Sequence, residues 1–323
     1  MIYDCFSFFN ELDLLEIRLE TLDNVVDKFV LAESNYTHTG KPKPLYYKIN
    51  KARFAKFNDK IIHVISPDPD DPERATRDVA YGWLCENRQR NATIRAIEPT
   101  LKDDDIIIVS DLDEIPNPKA IITAAKSKHP IRLQQKLYYY YLNYRCCTTP
   151  FWNTGSVVLS YRAFKNEITC AKISLGEAIQ PQENKNPTAT KVRFLKGIKT
   201  MRNGGWHFSY IGGINKILEK LDSIVEGKTA NLRAQDSILE CIRSGNDIYG
   251  RGEWFFAENI SSKRFPPAII DYADLIFPVS QEYIKQVRIK RLIAYAKWAI
   301  RPIAWKIIPH ALAIRLSKRF ARI

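Results

Sequence analysis

Nothing in these 323 residues stays apolar for long. No stretch of about 18 uncharged apolar residues occurs, so no membrane-spanning helix is expected. Metal-site cysteine spacing is missing as well. The six cysteines (Cys5, Cys85, Cys146, Cys147, Cys170 and Cys241) are scattered, and the one close pair is adjacent, a spacing that seldom makes a structural bridge. A thiolate metal centre is therefore not expected, and a reducing compartment is the expected setting. The N-terminus carries an early acid, Asp4, and no basic segment, so no signal peptide is expected. Internal repeats and low-complexity linkers are lacking too. Acid is lacking from one region in particular. From Lys285 to Ile323 there are eleven Lys/Arg and no Asp/Glu, which leaves only about +2 of the net +13 for the first 284 residues. The basicity belongs to a tail. An apolar fraction of 45% with 26% charged residues excludes general disorder.

What is present alternates. Residues 1–9 read as a strand, Glu11–Leu22 as an amphipathic helix, Lys28–Ala32 and Ile61–Ile65 as strands, Glu73–Ile97 as one long helix, and Ile106–Val109 as another strand. That rhythm predicts an α/β fold with a mostly parallel central sheet and helices on both faces. Beyond Pro116, the strand-like stretch Ile131–Asn143 contains four consecutive tyrosines, Tyr138 to Tyr141, and Val157–Tyr161 is another strand-like stretch. Residues 180–190 read as a loop, and Leu232–Ser244 and Gln281–Arg301 as helices. One catalytic domain over residues 1–280 with a basic helical tail over 281–323 fits this pattern.

The run Ile106-Ile107-Ile108-Val109-Ser110 ends in Asp111-Leu112-Asp113-Glu114-Ile115-Pro116. Ligands of open α/β sheets bind outside the carboxyl ends of the strands, where this acidic cluster would lie. Two carboxylates one residue apart at a strand end can share a hard cation, Mg²⁺ or Mn²⁺, that keeps positions open for substrate phosphates. Capping of the helix near Pro118 is the competing structural reading. A DxD pair at a strand end also occurs in haloacid-dehalogenase-type phosphohydrolases, with the first Asp as nucleophile. Those enzymes carry it on their first strand, whereas more than a hundred residues precede it here. A nucleotide-sugar transferase fits the placement better.

Five segments in order carry a more specific resemblance: Phe8–Leu19, Ala32–Pro44, Glu86–Asn91, Ser110–Pro116 and Gly205–Ser209. Together they resemble family 17 glycosyltransferases over roughly residues 1–250. The family's founding activity adds the bisecting GlcNAc of glycoproteins. The resemblance implies a GT-A-like, nucleotide-binding α/β fold and inverting transfer from UDP-GlcNAc. It departs in one respect: the eukaryotic members carry an N-terminal membrane anchor, while this chain begins at its first strand.

Beside that resemblance, single residues acquire candidate roles. Asp111 and Asp113 would hold the ion, with His207 in Gly204-Gly205-Trp206-His207 as third ligand or diphosphate contact; Trp206 offers an apolar face for a sugar ring. Arg90 and Asn91 would reach the diphosphate or steady Asp111, since a guanidinium fork suits phosphate. Glu33, ending a strand, would accept hydrogen bonds from the nucleoside, and Glu11 either lines the crevice or caps the next helix. Inverting transfer needs a general base, for which Asp236 and then Glu177 are the candidates. The acids at 68–71 and 103–105 read as solvated loops.

In the tail, Trp298, Ile300, Ile303, Trp305 and further apolar residues alternate with Arg301, Lys306 and Arg315, a pattern suited to an anionic membrane surface, with Pro302 and Pro309 breaking it into short helices. Nucleic acid is not an expected partner, because no binding module accompanies the local charge. The resulting expectation is a metal-dependent inverting glycosyltransferase that uses a nucleotide-sugar donor and a lipid-linked or surface-polysaccharide acceptor. It would work in the cytoplasm at the inner face of a membrane. Its rivals are a phosphohydrolase and a catalytically inactive carbohydrate-binding protein.

Overall fold

Short, mostly apolar strands alternating with helices build the first half of the chain as expected. A computed structural model describes residues 1–170, 192–193, 195–230, 234–261 and 264–307. Strand β1 (Ile2–Ser7) leads through helix α1 (Leu12–Leu22) to β2 (Lys28–Glu33). A short helix α2 (Tyr46–Ile49) precedes β3 (Ile61–Ile65). Helices α3 (Pro72–Arg77) and α4 (Val79–Ile97) then lead to β4 (Ile106–Asp111), which ends on the first acid of the cluster. These four strands are mutually parallel in the order β3-β2-β1-β4, with Ser7 in register beside both Ala32 and Asp111.

The long helix expected over Glu73–Ile97 is two helices. Asp71 accepts from the Arg74 N–H at the start of α3, and Asp78 accepts from the Ala80 and Tyr81 N–H groups at the start of α4. A carboxylate that serves as an N-cap is itself non-helical, so Asp78 ends one helix and begins the next. Neither Asp71 nor Asp105 is a purely solvated loop acid: Asp105 is buried and accepts from the N-terminal amine at 2.7 Å.

Beyond β5 (Glu114–Pro116) and helix α5 (Pro118–Ala124), the sheet continues as a mixed extension. It is formed by β6 (Ile131–Tyr139), β7 (Tyr144–Cys146), β8 (Phe151–Trp152) and β9 (Val157–Ser160), the last followed by helix α6 (Tyr161–Cys170). Strand β9 pairs antiparallel with both β4 and β6. Strand β10 (Lys199–Ser209) lies parallel to β6 and antiparallel to β5, bringing His207 level with Glu114. Helices α7 (Gly213–Ser223) and α8 (Gln235–Ser244), strand β11 (Phe255–Ala257) and helix α9 (Gln281–Ile307) complete the described chain. The result is mixed α/β with a large central sheet, consistent with a GT-A-like architecture.

One face of the sheet packs on α1 through Leu15, Leu19, Phe29 and Ile108; the other packs on α4 through Ile94, Val30, Ile107 and Val109. Neighbouring residues of β4 thus serve opposite faces, as the two-residue period of a strand requires. The four tyrosines end β6 and lead into its turn. Tyr140 has a left-handed backbone (φ 68°), and Tyr139 stacks on Phe255 with ring centroids 4.6 Å apart.

Helix α9 runs through Pro302, against the expected break; proline forfeits one hydrogen bond to the carbonyl four residues back without ending the helix. Pro309 and the loop at 180–190 lie outside the described residues.

Candidate functional site

The carboxyl ends of β1 and β4 open into a cleft of about 270 Å³. The acidic turn that closes β4 is held from below by a residue that sequence reasoning passed over. Arg18, on α1, is completely buried and pairs with the equally buried Asp4 of β1 through Nε (2.8 Å) and Nη2 (2.6 Å). Its Nη1 donates to the carbonyls of Asp111 (3.0 Å), Leu112 (3.1 Å) and Glu114 (2.9 Å), while Nη2 also donates to Ser110 Oγ. One guanidinium therefore ties the backbone of the whole Asp111–Glu114 turn to the first strand, a use suited to its rigid fork of donors. The signal was present: Arg18 falls among Leu14, Leu15 and Leu22 on the apolar face of α1.

Above that turn the acids meet cations. Asp111 Oδ1 accepts from Arg90 Nη2 at 3.0 Å, and Oδ2 lies 2.5 Å from Arg193 Nη1. Asp113 Oδ2 accepts from Lys220 Nζ at 2.8 Å, and Oδ1 lies 3.4 Å from His207 Nε2. Glu114 accepts from Arg193 Nη2 and Trp152 Nε1, each at 2.7 Å, and its other oxygen accepts the Asp111 N–H. The helix after Pro118 is capped by Asn117, so none of the three acids serves as its cap. Glu11, the first acid after β1, does not cap α1. It lines the cleft and shares Lys220 at 3.2 Å.

These contacts set the protonation states. Burial alone would raise the Asp111 pKa, but the Arg193 and Arg90 guanidiniums outweigh it and hold the carboxyl well below the usual carboxylate range. Burial likewise opposes ionisation of Asp113, and Lys220 with His207 overcomes it. Lys220 loses by burial and gains more from Asp113 and Glu11, so its ammonium persists well above the ordinary lysine range. Glu114 and Glu226 go the other way. Burial raises both, against Arg193 for Glu114 and reinforced by Glu86 for Glu226.

Of the sequence candidates, the structure brings together Arg90, Asp111, Asp113 and His207 on the cleft. It does not bring Glu33 there. That carboxylate is fully buried and accepts the N–H groups of Tyr47 and Lys48 and the ring of His63, so it holds α2 against β2. Asn91 is buried on α4 outside the cleft lining, as expected for a residue turned about 100° from Arg90 on the helix. Asp236 stands exposed in the first turn of α8, beside Ser237 and Glu240 in a separate shallow depression, where helix-terminal charge explains it. Glu177 lies outside the described residues.

Trp206 is likewise not a sugar platform. Strand alternation turns it into the core, where Nε1 donates to the Arg264 carbonyl, and sends His207 to the cleft. Trp83 and Trp152 supply the apolar cleft walls instead. Nor do the paired glycines approach a ligand. A Cβ on Gly204 would lie 2.6 Å from the Leu133 side chain, and one on Gly205 (φ 138°) 2.1 Å from the Ile115 carbonyl oxygen. They let β10 squeeze between β5 and β6. Arg193, Lys220 and Glu226 went unnoticed in the sequence because nothing local marks them.

The donor set can be tested against a divalent cation. Among the described residues no three His, Cys, Asp or Glu side chains converge as a ready-made metal site. Two hard carboxylates nonetheless stand on the cleft wall, and charge leaves room for an ion. Among the described residues, six carboxylates line the cleft (Glu11, Glu86, Asp111, Asp113, Glu114, Glu226) against five permanent cations (Lys43, Arg90, Arg193, Lys220, Arg251). A diphosphate entering a cleft with no surplus of positive charge needs a counter-cation. Mg²⁺-type ions are commonly held by one or two carboxylates plus substrate phosphates, without an all-protein cage. Lys220 Nζ, bridging Glu11 and Asp113, can stay with Glu11 while Asp113 takes an ion. The residues fit an ion that arrives with its phosphates.

Comparison with known proteins agrees with this geometry. Residues 1–170, just over half of the chain, match the profile of Glycosyltransferase family 17. A 116-residue segment is 32% identical to β-1,4-mannosyl-glycoprotein 4-β-N-acetylglucosaminyltransferase from Homo sapiens, 32% to that of Rattus norvegicus and 31% to that of Mus musculus. The alignment covers 33% of this chain and only 20% of each relative's length. With its acidic turn inside the matched region, the chain belongs to glycosyltransferase family 17.

Proposed function

We propose that the cleft binds a nucleotide-sugar, with UDP-GlcNAc as the donor, and transfers the sugar with inversion to a hydroxyl of a glycan acceptor. The observation that carries this reading is the meeting of Asp111, Asp113, Arg90, Arg193 and Lys220 at the carboxyl ends of β1 and β4, where an α/β sheet receives nucleotides. The relatives' activity as N-acetylglucosaminyltransferases supports N-acetylglucosamine as the sugar. A Mn²⁺ or Mg²⁺ ion held by Asp111 and Asp113, with His207 beside it, would neutralise charge on the departing diphosphate.

The chain's own residues do the rest. Arg90 and Arg193, fixed by Asp111, present guanidiniums to the phosphates and keep Asp111 ionised. Lys220 lends charge to the same end of the cleft. Trp152 packs on the His207 ring, with centroids 4.6 Å apart, and limits its orientation. For the base we assign Glu226 in place of Asp236. Glu226 lines the cleft and feels the charges of Glu86, Arg251, Asp111 and His207. Its raised pKa makes it a better proton acceptor than the Arg- and Lys-bound aspartates. A glycan hydroxyl gives its proton to Glu226 as the oxygen attacks the anomeric carbon and the nucleoside diphosphate departs.

We assign catalysis to residues 1–280 and a membrane-facing role to 281–323, with a lipid-linked glycan or a lipopolysaccharide or capsule precursor as acceptor. The excess of cations in the tail supports that choice. A cytoplasmic setting at the inner face of a membrane accords with Cys5, Cys85, Cys146, Cys147 and Cys241, all buried free thiols. The family match weighs against the phosphohydrolase and inactive-binder readings. The test is release of UDP from UDP-GlcNAc with Mn²⁺ or with chelator. Undiminished turnover in Asp113→Ala removes the metal role, and phosphate release from simple phosphoesters without UDP dependence restores the phosphohydrolase.

A further inference from the structure

Helix α9 has two apolar faces, and among the described residues only one of them is packed. On the first, Val287, Ala294 and Tyr295 pack against Cys147, Trp254 and Phe256, while Trp298 meets Phe151 with ring centroids 6.0 Å apart. Tyr283 adds a hydrogen bond from its hydroxyl region, accepting the Ala257 N–H at 2.9 Å. That face docks the helix on the sheet edge formed by β7 and β11. On the opposite face Ile289 is 70% exposed, Leu292 63% and Ile293 44%, with Ala296 exposed one turn on. Positions 289, 292, 293 and 296 follow the spacing of a single helical stripe. A helix that served only to cover the sheet edge would turn polar residues to this side.

Charge frames the stripe. Arg288 and Lys290, both exposed, stand about 100° to either side of Ile289 on a helix of 3.6 residues per turn, and Lys285 lies one turn before it. The last acid of the chain is Glu282, so nothing anionic offsets these cations along the rest of the helix. Exposed apolar residues rimmed by Lys and Arg match a bilayer surface, with acyl chains beneath and anionic headgroups around. A second protein would need a complementary acidic rim, which this chain does not itself offer on α9.

We propose that the Ile289–Leu292–Ile293 stripe of α9, flanked by Lys285, Arg288 and Lys290, is a docking surface for an anionic membrane. Because the other face of α9 is clamped to β7 and β11, binding there orients the catalytic body on the bilayer instead of merely tethering it. This specifies the membrane-facing part of the proposed function by residue, and it rests on no donor, acceptor or metal.

The test is co-sedimentation of the full chain with vesicles of phosphatidylcholine alone and of phosphatidylcholine mixed with phosphatidylglycerol. The expected result is binding to the mixed vesicles, weakened by salt and absent from pure phosphatidylcholine. Replacing Lys285, Arg288 and Lys290 by Gln should weaken binding by roughly fivefold per cation, the effect of one basic residue near an anionic surface. The double change Ile289→Asp and Leu292→Asp should abolish binding. These side chains are exposed, so melting temperature is the control, and it should be retained. Undiminished binding of the double variant would overturn the proposal and pass the role to residues beyond 307. Self-association that disappears in the double variant, with no vesicle binding by the parent chain, would overturn it in favour of a second copy. Vesicle binding needs no nucleotide, so failure here and failure of the glycosyl-transfer reading are read out separately.

Discussion

Replacing Arg18 by Met tests whether the acidic turn depends on a single buried guanidinium. The change keeps an unbranched apolar stem of similar length and removes every donor. Two consequences follow from the contacts. Asp4, completely buried, would lose both of its guanidinium hydrogen bonds, and breaking a buried pair from one side costs about 3–5 kcal/mol. The carbonyls of Asp111, Leu112 and Glu114 would lose their shared donor, at about 1–3 kcal/mol for each one left buried and unsatisfied. These terms are not additive. The first alone still approaches the lower end of the roughly 5–15 kcal/mol by which domains are stable. Urea unfolding should therefore show a midpoint well below that of the parent chain. The informative comparison adds Asp4→Asn. Once Asp4 is neutral the uncompensated charge disappears, so the double variant should be more stable than Arg18→Met alone. The turn would still be unsupported, and calorimetric titration with UDP-GlcNAc should show donor affinity still lost. A folded double variant that binds the donor as tightly as the parent chain would refute the positioning role. Equal instability of single and double variants would refute the charge argument.

Other consequences can be measured with the same materials. Glu226→Gln should lower kcat by about 10²–10⁴, the usual contribution of a general base, with the donor KM nearly unchanged. In the parent chain the acid limb of the kcat/KM profile should lie above the ordinary glutamate range, because burial raises this carboxyl. Lys220→Met should weaken donor binding and destabilise the fold, since Asp113 and Glu11 lose a shared buried partner. The pKa values of Asp111 and Asp113 are depressed in the folded chain. Their stabilisation is therefore fully present above the unfolded aspartate value of about 3.9 and lost as pH falls through the depressed folded values, so acid unfolding should be shallower for Asp113→Asn than for the parent chain. Gly205→Ala should destabilise by at least about 1–3 kcal/mol in thermal melts, because the backbone there is left-handed and the added methyl meets the Ile115 carbonyl.

The architecture up to Asp111 could be read from the sequence because its signals are local. Each strand is a short, mostly apolar run, β-branched in β3 and β4, and the acidic pair ends one of them, which is where sheet topology puts ligands. The cations could not be read in this way. Arg18 acts on carbonyls 93 and more residues away, and Lys220 acts on Asp113 at a separation of 107 residues. The leucines around Arg18 mark it as buried but not what it holds, and nothing near Lys220 marks that residue. Glu33 illustrates the opposite error. A strand-ending acid was expected to face the ligand, yet tertiary folding brought the first turn of α2 over it, and two backbone N–H groups claimed the carboxylate. Trp206 and His207 were both assigned to the site, but an extended backbone can send only one of two neighbours to one side. Asp78 shows why one helix became two: an N-cap carboxylate in mid-sequence looks like any other helix-surface acid until its φ is known.

The central claim, that the acidic turn and its cations hold a nucleotide diphosphate together with a divalent cation, is tested most directly by melting the chain with UDP-GlcNAc, with and without Mn²⁺. GDP- and CMP-sugars serve as comparisons. At about a hundred times its dissociation constant, the matching donor should add roughly 2.7 kcal/mol of stability. The account predicts that this stabilisation is greatest for UDP-GlcNAc with Mn²⁺, falls with chelator, and disappears in Asp113→Asn. Equal stabilisation in chelator and in Asp113→Asn, or none from any nucleotide-sugar, would contradict it.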